Sequence, residues 1–135
     1  MTKPLVIFAD PVTVALRVLR GAFAATLDAG DTITHSLPKR DVDTLTSAVI
    51  VADDGDAGTS VKFVAENAIL RVSVWDKDAH RAGRIAASAR AHLLADPGAA
   101  DSRGFTGGTR PFVTNDPEDG TPVSSFTIIA RLRAE

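Results

Sequence analysis

The sequence contains no cysteine. Disulfide bonds, thiolate zinc sites and cysteine nucleophiles are therefore excluded. An excess of charge of one sign is also absent, because 15 Lys and Arg residues stand against 17 Asp and Glu residues, for a formal net charge of −2. The composition thus gives no reason to expect a protein that binds nucleic acid or an anionic membrane through its overall charge.

Long apolar runs are missing as well. Residues 5–9 form a short apolar run that ends at Asp10 and Pro11, and it is too short for a signal sequence or a membrane span. We therefore expect the protein to stay in the cytoplasm of the cell that makes it. With 135 residues and an apolar fraction of 44%, residues 1–135 are expected to form one domain.

The clearest structural pattern is a strand followed by a helix in residues 68–94. The apolar alternation in residues 69–75 predicts a strand with one well-buried face, formed by Leu70, Val72 and Val74. Asp76 or Asp78 provides an N-cap for the helix that follows, and the helix should end at Asp96, before a proline. Its predicted buried stripe has spacings of three and four residues and consists of Ala79, Ala82, Ile85, Ala86, Ala89 and Leu93.

A second helix is predicted near the start of the chain. Asp10 is an N-cap, Pro11 is the first helical residue, and the helix should end at residue 27 or 29, before Gly30. Its predicted buried face consists of Val12, Ala15, Leu16, Leu19, Ala22 and Phe23.

The remaining apolar segments predict strands at residues 32–36, 44–51, 61–64, 112–114 and 123–132. Residues 53–58 and 115–120 are predicted turns because of their Asp and Gly content. Residues 97–110 are predicted to be a mobile, poorly buried loop, apart from Phe105. The order of elements predicts an α+β fold, in which a single, mainly antiparallel mixed β-sheet packs with two main α-helices.

Motifs for catalysis or metal binding are missing from the sequence. His80 and His92 are about a third of a turn out of register on one predicted helix, and His35 lies on another element, so all three are interpreted as surface histidines. Residues 53–56 do not fit an EF-hand loop, which ends in a Glu. Residues 104–108 lack the Lys and Ser or Thr of a P-loop, and no serine lies in a Gly-x-Ser-x-Gly elbow. We therefore predict no catalytic residue, no metal site and no cofactor.

Arginines provide the candidate functional surface. Arg17 and Arg20 share an exposed edge of the first helix, and Arg131 and Arg133 point to one side of the last strand. Two interpretations remain open. The arginines form a solvated charged face, or they meet acidic partners across a subunit interface, where the guanidinium fork is favoured.

Three stretches of the chain resemble the tail terminator proteins of long-tailed phages. The first is the opening helix with Leu37-Pro38-Lys39-Arg40. The second, LRVSVWDKDAHRAGRIAASARAHLL, has a strand ending in Val-x-Val-Trp and an Ala-rich helix. The third, TRPFVTNDPEDGTPVSSFTIIARLR, has an Asp-Pro-x-x-Gly-x-Pro turn and a last strand ending in arginines. They follow in the order typical of that family, whereas residues 96–109 align with no part of it.

The resemblance implies a structural virion protein that caps the head-proximal end of the tail tube, ends tail polymerisation and forms the interface for head–tail joining. It implies a homohexameric ring in the virion neck, assembled in the host cytoplasm, with the major tail tube protein and a head-completion or connector protein as partners. DNA would pass through the ring without sequence-specific binding, and no membrane is involved. The candidate subunit or tail interface residues are Arg17, Arg20, Arg40, Arg110, Arg131 and Arg133.

Two alternatives remain open. The protein is another head–tail connector component, a stopper or an adaptor, or it is a small cytoplasmic ligand-binding protein or hydrolase that uses a cleft beside Trp75. The identity of the structure that it caps would decide the first alternative. Ligand binding or turnover that is lost on Trp75→Ala would favour the second.

Overall fold

The computed structural model describes residues 7–23, 32–34, 48–56, 65–117 and 120–133 of the chain. These ranges contain two α-helices and six β-strands. In chain order they are α1 (Pro11–Phe23), β1 (Thr32–Thr34), β2 (Ala48–Asp56), β3 (Ala65–Trp75), α2 (Ala79–Ala95), β4 (Ser102–Thr106), β5 (Phe112–Asn115) and β6 (Pro122–Arg133).

The strands form a mixed sheet in the order β1-β2-β3-β6-β4, and β5 also pairs with β6. β1 pairs with β2 in parallel, and the other described pairings are antiparallel. β3 runs along one side of β6 over nearly its whole length, whereas β4 and β5 share the other side. The predicted α+β class, with a mainly antiparallel sheet and two helices, is confirmed.

β3 and β6 form the centre of the sheet because both strands alternate apolar residues with a period of two. Leu70, Val72 and Val74 of β3 are fully buried, as predicted, on the same face as Phe126 and Ile128 of β6. Val72 pairs with Phe126, and Leu70 pairs with Ile128. Burial of each large apolar side chain contributes about 1.5–3 kcal/mol, so this double row supplies much of the stability of the sheet.

α1 packs on this apolar face and against α2. The Asp10 side chain caps its start, because Oδ1 accepts a hydrogen bond from the Val12 N–H at 3.2 Å. Two residues of the predicted buried face, Val12 and Ala22, are only half-buried, whereas Val14 is buried although the predicted face omits it. A helix that contacts both a sheet and a second helix buries a wider arc than one stripe. The buried residues are Val14, Ala15, Leu16, Leu19 and Phe23.

α2 lies beside α1 on the same face and packs chiefly on β6. Asp78 is its N-cap and accepts a hydrogen bond from the His80 N–H at 2.9 Å, and Asp96 is its C-cap, so both predicted ends are confirmed. The predicted stripe includes Ala79 because the apolar spacing extends to the first helical residue. Ala79 is exposed, because the surface of α2 that packs on the sheet begins one turn later. The rest of the predicted stripe is buried, namely Ala82, Ile85, Ala86, Ala89 and Leu93.

The acidic segment at residues 53–56 belongs to β2, so the prediction of a turn there is wrong. Pairing with β3 continues through it, with a β-bulge between Asp53 and Gly55. The bulge takes up an extra residue and lets an Asp- and Gly-rich segment stay in a strand. In addition, the Nε atom of Arg71 donates to Asp54 Oδ2 at 3.0 Å from the neighbouring strand.

Residues 97–110, predicted to be a mobile loop, contain β4, so that prediction is wrong. Phe105 is buried as predicted, opposite Ala130 of β6. Beyond β4, the Thr109 N–H donates to the Thr127 carbonyl oxygen at 3.0 Å, and Thr109 Oγ1 accepts from the Thr127 N–H at 3.0 Å. The apolar pattern does not predict this strand, because only one of its side chains, that of Phe105, is large and apolar.

The closing hairpin matches its prediction, since β5 and β6 cover the two predicted strands. The Asp116 N–H donates to the Thr121 carbonyl oxygen at 2.8 Å, which closes the turn between them. β1 and β2 confirm the parts of two further predicted strands that are described. The predicted end of the first helix, the predicted strand at residues 61–64 and residues 35–40 lie outside the described residues.

Candidate subunit interface

Arg17 of α1 forms a bidentate ion pair with Asp101, in the turn before β4. Its Nη1 and Nη2 atoms donate to the two carboxylate oxygens at 2.9 and 2.8 Å. Two such parallel hydrogen bonds fix the relative orientation of a guanidinium group and a carboxylate. The pair therefore ties α1 to the connection between α2 and β4, although both side chains remain partly exposed.

The hydrogen bonds from Arg17 lower the pKa of Asp101 below its ordinary value. A carboxyl group with a lowered pKa in the folded state adds stability above its unfolded pKa of about 3.9, and loses it as the pH falls through the folded-state pKa. We expect Asp101→Asn to lower the free energy of unfolding at pH 7 by less than about 1 kcal/mol, because solvent screens the pair. The difference should shrink below about pH 4, as urea denaturation at several pH values would measure.

The matched variant for this pair is Arg17→Gln. It should cost the same at neutral pH, and the double variant with Asp101→Asn should cost little more than either single change. Losses that simply add would contradict a direct interaction between the two side chains.

Arg133 meets the same turn from the end of β6. Its backbone N–H donates to the Asp101 carbonyl oxygen at 3.0 Å, and its Nε atom donates to the Ser102 carbonyl oxygen at 3.3 Å. Arg131 lies two residues earlier on the same face of β6. The structure thus brings Arg17, Arg131 and Arg133 to one end of the sheet, and we call this group the arginine corner.

The other predicted interface arginines lie elsewhere. Arg20 donates through Nε and Nη2 to the Ile33 carbonyl oxygen at 3.2 and 2.9 Å, so it ties α1 to β1 at the opposite edge of the sheet. Arg110 is exposed in the segment that connects β4 and β5, and Arg40 lies outside the described residues. The predicted interface arginines that the structure describes therefore occupy three separate places.

β5 presents exposed apolar side chains at the edge of the sheet. All four of its residues are exposed, and Phe112 and Val113 expose 52% and 50% of their surface. β6 covers one side of β5, and the described residues place no strand on its other side. Exposed apolar side chains on an edge strand are typical of a surface that meets another chain.

A cleft of about 420 Å³ lies where the end of α1 meets one flank of α2. Sequence reasoning missed it. Its signal is the spacing of Arg81, Ile85, Ser88 and His92, which follow one another at intervals of four, three and four residues and therefore line one side of a helix. His80 also lines the cleft, and both described histidines are exposed, as predicted for surface histidines.

Trp75 does not line this cleft. It is half-buried, and its Nε1–H group donates to Asp116 Oδ2 at 3.3 Å, which links β3 to the turn before β6.

The described ranges contain no group of three or more His, Cys, Asp or Glu side chains that could hold a metal ion. Neither of the two described helices is long and apolar enough to cross a membrane.

Comparison with known proteins gives a match at the level of the fold. No family model and no curated protein matches the sequence. Among solved structures, the chain is similar to one chain of the "Virion of native gene transfer agent (GTA) particle", with a TM-score of 0.56 and 19% sequence identity. The match covers 90% of this chain and 91% of that chain. The two proteins therefore share a fold over nearly the full length of both.

Proposed function

We propose that this protein is a structural virion protein, and that it is the tail terminator that caps the head-proximal end of a phage tail tube. In this role it ends tail polymerisation and forms the interface for head–tail joining, as a homohexameric ring in the tail neck. Its work is assembly, not catalysis. The observation that carries the proposal is the likeness in fold to a chain of the gene transfer agent virion over 90% of this chain.

The surface chemistry of the chain supports a role in assembly. A subunit of a ring that also caps a tube must present different surfaces to its neighbours and to the tube. β5 offers exposed apolar side chains, Phe112 and Val113. In the arginine corner Arg17 already pairs with Asp101, so Arg131 and Arg133 are the members whose guanidinium groups suit acidic partners at a subunit interface. Arg20, Arg40 and Arg110 remain further candidates for such contacts.

Capping of tail tubes is the direct test. Purified protein is added to polymerising tail tube protein, and tube length is measured by negative-stain electron microscopy. A terminator should halt elongation once tube ends are saturated, and it should be found at one end of each tube. Continued elongation, together with binding to portal complexes, would replace the terminator with a stopper or an adaptor.

The oligomeric state gives a second test of the ring. Light scattering after size exclusion, over a wide range of concentration, would detect a closed ring of about six subunits, the heterologous assembly that a ring requires. A protein that is a monomer at every concentration would form its ring only on the tube, and the tubes would then be imaged for a ring at the capped end.

Charge reversal at the arginine corner should weaken assembly. Arg131→Glu combined with Arg133→Glu should cost about 1 kcal/mol per residue at a subunit contact, or about 2 kcal/mol for the pair, which raises the dissociation constant about 30-fold. Sedimentation of the ring, or the protein concentration needed to cap tubes, would measure the loss. Lys77→Glu reverses an exposed charge outside this corner and should have no effect. Unchanged assembly with an unchanged circular dichroism spectrum would remove these residues from the interface.

A further inference from the structure

The backbone groups of β6 point alternately towards β3 and towards β5. In an antiparallel pair, the N–H and C=O groups of one residue point to the same side of the strand, and that side alternates along the chain. The Pro122 carbonyl oxygen accepts from the Asp76 N–H at 3.3 Å, so Pro122 and Ser124 direct their backbone groups towards β3. Thr127 points the other way, because its carbonyl oxygen accepts from the Thr109 N–H at 3.0 Å.

The register of β5 on β6 then decides which groups of β5 face outward. Val113 lies opposite Ser124, and Asn115 lies opposite Pro122. Residues that oppose each other in an antiparallel ladder either bond to each other or both turn away. The N–H and C=O groups of Val113 and Asn115 therefore point away from β6, to an outer edge on which the described part of the chain places no strand.

The edge strands of the described sheet differ in how well they are protected. Charged side chains and bulges on an edge strand hinder pairing with a further chain. At β1, the Arg20 side chain donates to the Ile33 carbonyl oxygen through Nε and Nη2. β4 has a register shift against β6 and carries the exposed Arg103. β5, in contrast, pairs with β6 in an unbroken register and consists of four uncharged residues, Phe112–Asn115. Its outer edge is therefore open to a further strand.

The open edge is also held in a fixed position. The Asp116 N–H donates to the Thr121 carbonyl oxygen at 2.8 Å and closes the turn between β5 and β6. The Trp75 side chain donates to Asp116 Oδ2 at 3.3 Å and ties this turn to β3. A backbone that is already extended and fixed loses little conformational entropy when another strand is added to it.

We propose that the outer edge of β5 binds an extended segment of a partner protein as an added β-strand. The backbone of the segment pairs with Val113 and Asn115, and its side chains lie beside Phe112 on one face of the sheet and beside Val113 on the other. Phe112 and Val113 are about half exposed, so β-branched or aromatic side chains next to them would remove apolar surface from water. The segment is therefore extended, uncharged and apolar on both faces.

A second copy of β5 fits this edge less well than a segment of another protein. Two copies would pair about a twofold axis and match only the four residues of each strand. A stable interface between two folded proteins buries about 800 Å² of each partner, which is more than four residues supply. An extended segment does not have to bring two folded surfaces together, so a short pairing suits it better.

The inference deepens the proposed role in virion assembly, and it rests on that role for the class of partner, another virion protein. The two proposals fail separately. A protein that binds a strand-forming peptide at β5 but leaves tube elongation unchanged would contradict capping alone. Capping by a protein that binds no such peptide, and that caps equally well after Val113→Pro, would contradict the edge assignment alone.

The probe is a hexapeptide of alternating Thr and Val with N-methyl groups on alternate amide nitrogens. It has one edge that can pair and cannot stack on itself. Amide hydrogen exchange, measured by NMR, reports where it binds. In the free protein, the N–H groups of Val113 and Asn115 should exchange faster than those of Phe112 and Thr114, which point towards β6. Saturation with the probe should slow exchange at Val113 and Asn115 about tenfold and leave Phe112 and Thr114 unchanged.

Val113→Pro tests the edge directly. It removes an outward N–H group and places a ring at the open edge, while the hydrogen bonds from β5 to β6 remain. NMR titration should show that the variant binds the probe about tenfold more weakly or worse. The matched control, Val113→Thr, keeps the donor and the β-branched shape and should bind within about threefold of the native protein. Circular dichroism spectra check that both variants are folded.

A peptide that is N-methylated at every amide offers no donor and should not bind. Equal binding of the two peptides, or equal binding by the native protein and Val113→Pro, would overturn the inference. Slowed exchange at other residues in place of Val113 and Asn115 would put the peptide elsewhere and overturn it as well. Self-association of the native protein that Val113→Pro abolishes would overturn the choice of a partner segment and assign the edge to a second copy.

Discussion

Phe126→Ala should lower the free energy of unfolding by about 3–5 kcal/mol. Phe126 lies on the central strand β6, is fully buried and pairs with Val72 of β3. It belongs to the core cluster that also contains the buried side chains of both helices. Truncation leaves a cavity, and a strand that is paired on both sides cannot move to close it. A domain is stabilised by about 5–15 kcal/mol in total, so the loss should be plain in urea denaturation.

The matched control is Phe112→Ala, which deletes the same atoms on β5. Phe112 is 52% exposed, so less apolar surface returns to water and no closed cavity forms. We expect a cost below about 1 kcal/mol for the isolated subunit. Similar losses for the two variants would contradict the placement of Phe126 in the core or of Phe112 on the surface.

Gly108→Ala should have the second-largest effect. Gly108 has a φ angle of +84°, and a Cβ atom there would lie 1.8 Å from the Thr127 carbonyl oxygen and 2.8 Å from the Ile128 Cα atom. Both are backbone atoms, so no side-chain rotation relieves the clash. The left-handed conformation costs an alanine about 1–2 kcal/mol, and the overlap adds about 1–3 kcal/mol. Urea denaturation would measure the sum, and faster hydrogen exchange at Thr109 would show that the segment detaches from β6.

Gly120→Ala separates the two contributions. Gly120 has a similar φ angle of +74°, but among the described residues other than its chain neighbours no atom lies within 4 Å of the position of an added Cβ atom. The substitution should therefore cost only the conformational part, about 1–2 kcal/mol. Equal losses of unfolding free energy for the two variants would mean that steric overlap with Thr127 contributes nothing to the effect of Gly108→Ala.

The sequence predicts those elements of the fold in which the apolar period is long and uninterrupted. β3, α2 and β6 each repeat their pattern over several turns or several pairs of residues, and the predicted buried faces of β3 and α2 are correct apart from Ala79. Helix ends are also predictable at Asp10, Asp78 and Asp96, because capping is a local interaction between a side chain and the next turn.

β4 and the second half of β2 were not predictable, because their strand structure depends on the neighbouring strand. Gly and Asp have low intrinsic preference for strands, so residues 53–56 and 102–106 lack a local signal. A β-bulge and pairing with β3 keep the first segment extended, and pairing with β6 keeps the second extended. Tertiary contacts of this kind are invisible in a single sequence.

The candidate site divides in the same way. The sequence indicates that arginines lie on exposed faces. It cannot show that Arg17 lies within hydrogen-bond distance of Asp101, which comes 84 positions later in the chain. The basic flank of α2 does have a sequence signal, in the spacing of Arg81, Ser88 and His92. What the sequence lacks is the position of Phe23 at the end of α1, which turns that flank into a cleft.

The pairing of β3 with β6 also determines when the protein can fold. Ala65 pairs with Arg133 and Trp75 with Val123, so each pair in the central ladder joins residues that are dozens of positions apart. Contacts of such high sequence separation require closure of a long loop before they contribute energy, which slows folding. During synthesis on the ribosome, β3 and α2 emerge well before β6 and cannot bury their apolar faces on it. The centre of the sheet therefore forms late, after β6 has left the ribosome.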